Sequence, residues 1–259
     1  MIMSRRKFIA ALPAALSAAG GPFPGVRALT FDVFGTVVDW RGSIVAEGSQ
    51  FNRKHGVKID WAAFADRWRA GYAPSMNLVR KGELPWQTID QLHRRVLDQL
   101  LEEFRLTVLS EEDKDQLNRV WHRLNPWPDA VAGLTRLRKK FIIATLSNGN
   151  LALLTNMAKH AGLPWDCILS AELAKHYKPD PEAYLTAASL LGLRPEQVMM
   201  VAAHKSDLKA AKATGFHTAF VPRPKEYGAG VKPDTESDAS CEVLARDFQH
   251  LADLLGAPR

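Results

Sequence analysis

Cysteine is nearly absent from this chain of 259 residues, which holds only Cys167 and Cys241. One stands in the apolar stretch Trp165 to Leu169 and the other in a polar region, without the close spacing that a zinc site needs. No metal or thiol chemistry follows from them. An oxidising compartment would permit a disulfide, but the sequence does not show that their Cα atoms approach. Internal repeats and low-complexity stretches are also missing. So is a basic arm or stripe: the formal net charge is +6, yet Lys and Arg are scattered among carboxylates, which argues against nucleic acid as a partner. What remains, 46% hydrophobic and 24% charged residues, is enough for a real core, as one large domain with an insertion or as two modest domains.

Three of the positive charges, Arg5, Arg6 and Lys7, open the chain. Ser4-Arg5-Arg6-Lys7-Phe8-Ile9, the apolar run Ala10 to Ala19 and the small residues before Gly20 reproduce the basic, apolar and small-residue zones of an export signal. The paired arginines resemble a twin-arginine signal. The apolar run falls well short of the roughly 20 residues that span a bilayer, so no stable membrane span is expected. Residues 1–25 are therefore read as an export signal with its linker and the protein as periplasmic. The alternative is an uncleaved basic extension on a cytoplasmic protein.

After the Pro/Gly-rich linker Gly20 to Gly25, Arg27 to Thr36 reads as a buried strand that stops at a glycine turn, with Asp32 near its C-terminal end. Phe141 to Leu146, Gln197 to Val201 and His217 to Val221 are three more short apolar strands. Helical patterns over Asp129 to Lys139, Leu151 to His160, Pro181 to Leu191 and about Lys205 to Thr214 alternate with them. Such alternation implies a parallel sheet, so residues 26–40 and 126–259 are expected to form a doubly wound, Rossmann-like α/β core. Residues 41–125 break the rhythm with helical periodicity alone. They are expected to form an inserted helical cap, whose Trp61, Trp68, Trp86, Trp121, Phe51, Phe64 and Phe104 supply a small core and one wall of a pocket.

Open parallel sheets bind ligands outside the carboxyl ends of their strands. That rule selects Asp32 to Thr36, Ser147-Asn148-Gly149, Lys178-Pro179-Asp180 and His204 to Asp207. Taken alone, an aspartate after a strand is usually structural and Ser-Asn-Gly is usually a turn; their conjunction in this order is far more specific. Phe31-Asp32-Val33-Phe34-Gly35-Thr36 resembles the first motif of the haloacid dehalogenase superfamily, Leu146-Ser147-Asn148-Gly149 the second and Tyr177-Lys178-Pro179-Asp180 the third. The resemblance spans about residues 26 to 255 and implies a helical cap inserted after the first motif.

Phosphatases of that superfamily carry a second aspartate two residues after the nucleophile and further carboxylates in the fourth motif for magnesium. Here Phe34 takes the first place, and Val201-Ala202-Ala203-His204-Lys205-Ser206-Asp207 offers only Asp207 at the second. A halide needs no proton to leave. The resemblance is therefore to the 2-haloacid dehalogenases, where Trp68-Arg69 with Tyr72 resembles the segment carrying the halide-binding arginine and Tyr184 follows Lys178 at the family's spacing. It implies an (S)-2-haloacid dehalogenase-like hydrolase that needs no cofactor and no metal, with a small 2-haloacid as its partner and a homodimer compatible with the family.

In that reading Asp32 attacks the halogen-bearing carbon and Lys178 holds the substrate carboxylate with Ser147 and loop N–H groups, while Arg69 and Asn148 stabilise the halide. Phe34 and Tyr184 line the substrate site. Asp207 orients the water that cleaves the ester, and Thr36 helps to place it. Taken alone, Arg69 would be a solvated cap residue, Lys178 a surface lysine before a Pro turn and Asp207 a helix cap. The sequence departs from the dehalogenase pattern at Ala202 and His204, where those enzymes carry serine and asparagine; His204 either donates to the hydrolytic water or narrows the pocket, and narrowing, the preferred reading, favours haloacetates. Two other readings stand beside this one: a magnesium-dependent phosphatase of the same superfamily, and an exported binding protein that kept the fold without catalysis.

Overall fold

The structure, a computed structural model, describes residues 22–106, 109–229, 231 and 235–259. The expected export signal lies outside the described residues. The first strand, β1 (Ala28–Phe31), is buried throughout. It does not run on to Thr36 as the sequence suggested, because Gly35 at φ +83° turns the chain immediately after Asp32. A short strand β2 (Val38–Asp39) leads into the helices α1 (Trp40–His55), α2 (Trp61–Ala70), α3 (Tyr72–Arg80), α4 (Ile89–Glu103) and α5 (Glu111–Asn118). Strand β3 (Asn125–Pro126) then pairs antiparallel with β2, so the insertion leaves and rejoins the core at one place. From there β/α alternation resumes through α6 (Ala130–Arg138), β4 (Ile142–Thr145), α7 (Leu151–Ala161), α8 (Ala171–Ala174), α9 (Pro181–Leu190), β5 (Val198–Ala202), α10 (Lys205–Ala213) and β6 (His217–Phe220). The last elements are β7 (Val243–Leu244) and α11 (Phe248–Leu254).

The five-stranded sheet has the order β4-β1-β5-β6-β7, and every neighbouring pair is parallel. Alternate residues of a strand face opposite sides, so a sheet covered on both faces needs continuous apolar strands. In β5, Met199 and Val201 join one core with Leu134 of α6, Leu154 of α7 and Phe248 of α11. Val198, Met200 and Ala202 join the other with Tyr184 and Ala187 of α9 and Leu208 of α10. This is the doubly wound layer expected from the alternation, with the helical cap inserted after the first strand.

Helix signals in the cap are local. The Asp60 carboxylate accepts from Ala62 and Ala63 N–H to start α2, and Thr88 with Gln91 forms a capping box on α4. The buried indoles and rings then pack edge to face, Phe64 on Trp68 at 5.7 Å and Trp68 on Trp121 at 5.5 Å. Trp86 plays a different part, stacking on Tyr177 of the core at 4.6 Å. Cys167 and Cys241 are free thiols. No described helix is long and apolar enough to cross a membrane.

One half-buried ion pair fastens the loops around β1. The Arg223 guanidinium donates to both carboxylate oxygens of Asp129, at 2.7 and 3.0 Å, and to the carbonyl of Thr36 at 2.8 Å. Removing the guanidinium takes away three charge-assisted hydrogen bonds and leaves a partly buried carboxylate without its cation. Arg223→Ala is therefore expected to lower unfolding free energy by about 2 kcal/mol, read from the urea midpoint at unchanged m. A loss under about 1 kcal/mol would place the pair with ordinary surface contacts.

Candidate active site

Asp32 is the first residue beyond β1, and parallel pairing puts the ends of β4 and β5 on either side of it. The tight loop through Gly35 returns the Thr36 hydroxyl to Asp32, where it donates to Oδ2 at 2.7 Å. Lys178, only 7% exposed, reaches in from the loop before α9. Its ammonium donates to Asp32 Oδ1 at 3.1 Å and to Asp207 Oδ2 at 2.5 Å. Tyr184, one turn into α9, donates its hydroxyl to the other Asp207 oxygen at 2.5 Å. His204 closes the group with Nδ1 at 3.1 Å from Asp32 Oδ2.

These contacts set the charges. Burial on its own would raise the pKa of Asp32, but the Lys178 ammonium and the His204 ring outweigh it and hold the carboxyl well below the usual carboxylate range. Burial likewise works against the Lys178 charge, and the carboxylates of Asp207 and Asp32 more than restore it. His204 is pushed up to about 10, its burial overcome by hydrogen bonds to Asp32 and Glu226. The site is thus an ionised carboxylate set among cations.

A cavity of about 270 Å³ opens on this group. Asp32, Phe34, Lys178, Tyr184, His204 and Asp207 line it from the core, and Arg69, Tyr72, Ala73 and Met76 line it from the cap. Arg69 lies over the Tyr72 ring at 4.3 Å, and its Nη1, though buried, has no hydrogen-bond partner among the described residues. Phe34 stands edge-on to Tyr72 and Trp121 at 6.2 and 5.7 Å, where a second motif aspartate would otherwise sit.

Three sequence expectations are refined in detail. Ser147 is fully buried and does not line the cavity; its hydroxyl oxygen accepts the Gly149 N–H at 3.1 Å and so closes the turn into α7. Asn148 does line the cavity, but its amide is spent on Lys178, accepting that residue's N–H at 2.7 Å and donating to its carbonyl at 3.3 Å. Asn148 therefore fixes the segment that carries the ammonium, and its Nδ2 also donates to Met76 Sδ at 3.3 Å, a weak acceptor at the cavity wall. Thr36 also stays behind the wall, as a fully buried support of Asp32.

Glu226 escaped the sequence reading altogether. It follows β6 in the run Val221-Pro222-Arg223-Pro224-Lys225-Glu226, beyond a strand end that the carboxyl-edge rule could have added to the four segments chosen. Both its oxygens face His204 Nε2, at 3.0 and 3.1 Å. His93 was missed as well. It is buried in the cap against Trp121 at 4.1 Å, its two ring nitrogens have no partner among the described residues, and burial lowers it to about 3, so it is neutral.

Comparison with known proteins agrees with this arrangement. Residues 26–215 match the family profile of the haloacid dehalogenase-like hydrolases. (S)-2-haloacid dehalogenase 1 of Pseudomonas sp. (strain CBS-3) is 33% identical over 214 residues, 78% of this chain and 88% of that protein. (S)-2-haloacid dehalogenase 4A of Burkholderia cepacia is 31% identical over 215 residues, 78% and 87% of the two chains. Among solved structures, a defluorinating L-2-haloacid dehalogenase is 47% identical with a TM-score of 0.88, covering 92% of this chain and 99% of that one. With Asp32, Lys178 and the cap arginine gathered on one cavity and these likenesses over most of its length, the chain belongs to the 2-haloacid dehalogenase family of haloacid dehalogenase-like hydrolases.

Proposed function

We propose that this protein hydrolyses small 2-haloacids to 2-hydroxyacids through an ester formed on Asp32. The observation that carries the reading is the cavity itself, in which an ionised carboxylate and the uncommitted Arg69 Nη1 share one small, partly apolar space. Asp32 attacks C2 in line with the carbon–halogen bond, and the halide leaves without a proton. Arg69 meets the charge that grows on the halide; a guanidinium stays charged and presents several donors. Lys178 offsets the repulsion between the substrate carboxylate and Asp32 and keeps Asp207 beside them. Phe34, Tyr72 and Met76 give the apolar walls, and His204 narrows the space in keeping with short substrates such as haloacetates. Water then attacks the ester carbonyl, with Asp207 as the proton acceptor and Tyr184 holding that carboxylate in place. The substrate class and hand are supported by the relatives, which are described as (S)- or L-2-haloacid dehalogenases.

Export is proposed on residues 4–19 alone, and places the reaction in the periplasm. A reporter fused to the first residues is expected to reach the periplasm and to stay in the cytoplasm when both arginines are changed, as Arg5→Lys with Arg6→Lys. Equal export of the two fusions would remove the twin-arginine reading.

For the chemistry, the position of solvent oxygen after one turnover is decisive. With enzyme in excess over 2-chloropropionate in water carrying heavy oxygen, the hydroxyacid is expected to be largely unlabelled and the peptide containing Asp32 to gain mass. Label in the first-turnover product with none at Asp32 would instead mean direct attack by water on C2. Arg69→Lys is expected to lower kcat about 100-fold with a smaller change in KM, since charge on the halide develops only towards the transition state. A kcat equal to the parent's would take Arg69 out of the mechanism.

A further inference from the structure

The ester-forming step leaves the two oxygens of Asp32 in unequal surroundings. Oδ1 receives the Lys178 ammonium at 3.1 Å, whereas Oδ2 receives two donors, the Thr36 hydroxyl at 2.7 Å and His204 Nδ1 at 3.1 Å. The Thr36 hydrogen is committed to Oδ2, because its oxygen already accepts the Ala203 N–H at 2.9 Å. The ring of His204 lies between carboxylates on both sides, Asp32 at Nδ1 and Glu226 at Nε2, so each nitrogen donates and the ring is an imidazolium. That charge state agrees with the upward shift of His204.

Glu226 is a built partner for this ring. It is 3% exposed, and besides His204 it accepts the Trp40 indole N–H at 3.1 Å. It also lies against the loop of the first motif: a Cβ on Gly35 would come within 2.1 Å of Glu226 Oε1, so this turn needs glycine for space as well as for its φ of +83°. A carboxylate buried this deeply is costly unless it is paired, and its ionic partner here is His204.

Resting on the dehalogenase reading, we propose that Asp32 Oδ1 is the nucleophile, and that Oδ2, the carbonyl oxygen of the resulting ester, is held in an oxyanion hole made by Thr36 and by a His204 imidazolium positioned by Glu226. In the second half of the reaction a water oxygen bonds to the carbonyl carbon of Asp32 and the C=O electron pair moves onto Oδ2, directly against these two donors. The pair then returns, the bond from that carbon to Oδ1 breaks, and Oδ1 leaves as the hydroxyl oxygen of the product. One water proton passes through Asp207 to that oxygen. The other is released to solvent as Asp32 ionises again. His204 therefore acts as a catalytic residue in ester hydrolysis, and Glu226 is a positioning residue that keeps it charged and aimed.

The two halves of the reaction respond unequally to loss of a donor at Oδ2. Hydrolysis loses stabilisation of the developing oxyanion, while Asp32, with less of its charge engaged, becomes no worse a nucleophile. In rapid-quench experiments with chloroacetate, Glu226→Gln and His204→Gln are expected to slow the release of the first chloride per site far less than they slow ester hydrolysis. The carboxymethyl ester should then accumulate on the Asp32 peptide, seen by mass spectrometry, as its hydrolysis falls by about 100-fold. Trp40→Phe, which removes one bond to Glu226 and keeps its carboxylate, should slow the same step by a smaller factor and gives a third variant should either of the first two fail to fold. Equal slowing of ester formation and ester hydrolysis, or no accumulation of ester, would overturn the oxyanion-hole assignment. Absence of both chloride release and any Asp32 adduct in the unaltered protein would remove the dehalogenase reading on which it rests.

Discussion

The buried ammonium of Lys178 is the constraint around which the site is organised. Two carboxylates, Asp32 and Asp207, converge on it from the ends of different strands, and neither could remain ionised in that setting without a cation between them. Everything near it keeps the ammonium in place. Asn148 grips the Lys178 backbone at both its N–H and its carbonyl, Tyr184 fixes the far oxygen of Asp207, and Thr36 fixes Asp32. The doubly wound sheet makes this convergence cheap, because parallel strands deliver their following loops to one edge.

The helical cap contributes differently. Its helices are held by an aromatic core of their own, Phe64, Trp68 and Trp121 above all, and that packing sets where α2 and α3 point Arg69, Tyr72 and Met76. It meets the core through polar contacts as well, Tyr177 donating to the Gln87 carbonyl at 2.5 Å and Arg80 pairing with Asp180 at 2.6 Å. Core and cap thus divide the chemistry between them. The sheet edge supplies the nucleophile and its counter-ion, and the cap supplies a guanidinium and apolar walls. Phe34 links the two, since it sits on the motif loop yet packs edge-on against cap aromatics.

His204 and Glu226 show how a charged ring beside the nucleophile is accommodated by a partner far away in the chain. A histidine beside the nucleophile introduces a cation into a buried site, and a buried carboxylate from the loop after β6 balances it. The tryptophan that completes this arrangement, Trp40, is 186 residues from Glu226 in sequence. No local pattern connects the three.

Much of the fold was legible because its signals are local. Short apolar runs marked β1, β4, β5 and β6, and helical patterns between them marked the helices that follow. The two-residue strands β2, β3 and β7 carry no period and exist only because a partner strand offers its hydrogen-bonding groups, so they could not be seen beforehand. The site divides along the same line. Strand ends and motif spacing selected Asp32, Lys178, His204 and Asp207, the family resemblance selected Arg69, and the structure places all five around one cavity. Which way side chains turn once there was decided by tertiary structure: Ser147 into its own turn, Asn148 onto the backbone of Lys178, and Glu226 onto His204. Sequence spacing determines which residues leave a strand together, but a hydrogen bond between distant loops depends on distances of a few tenths of an ångström, and only the packed chain sets those.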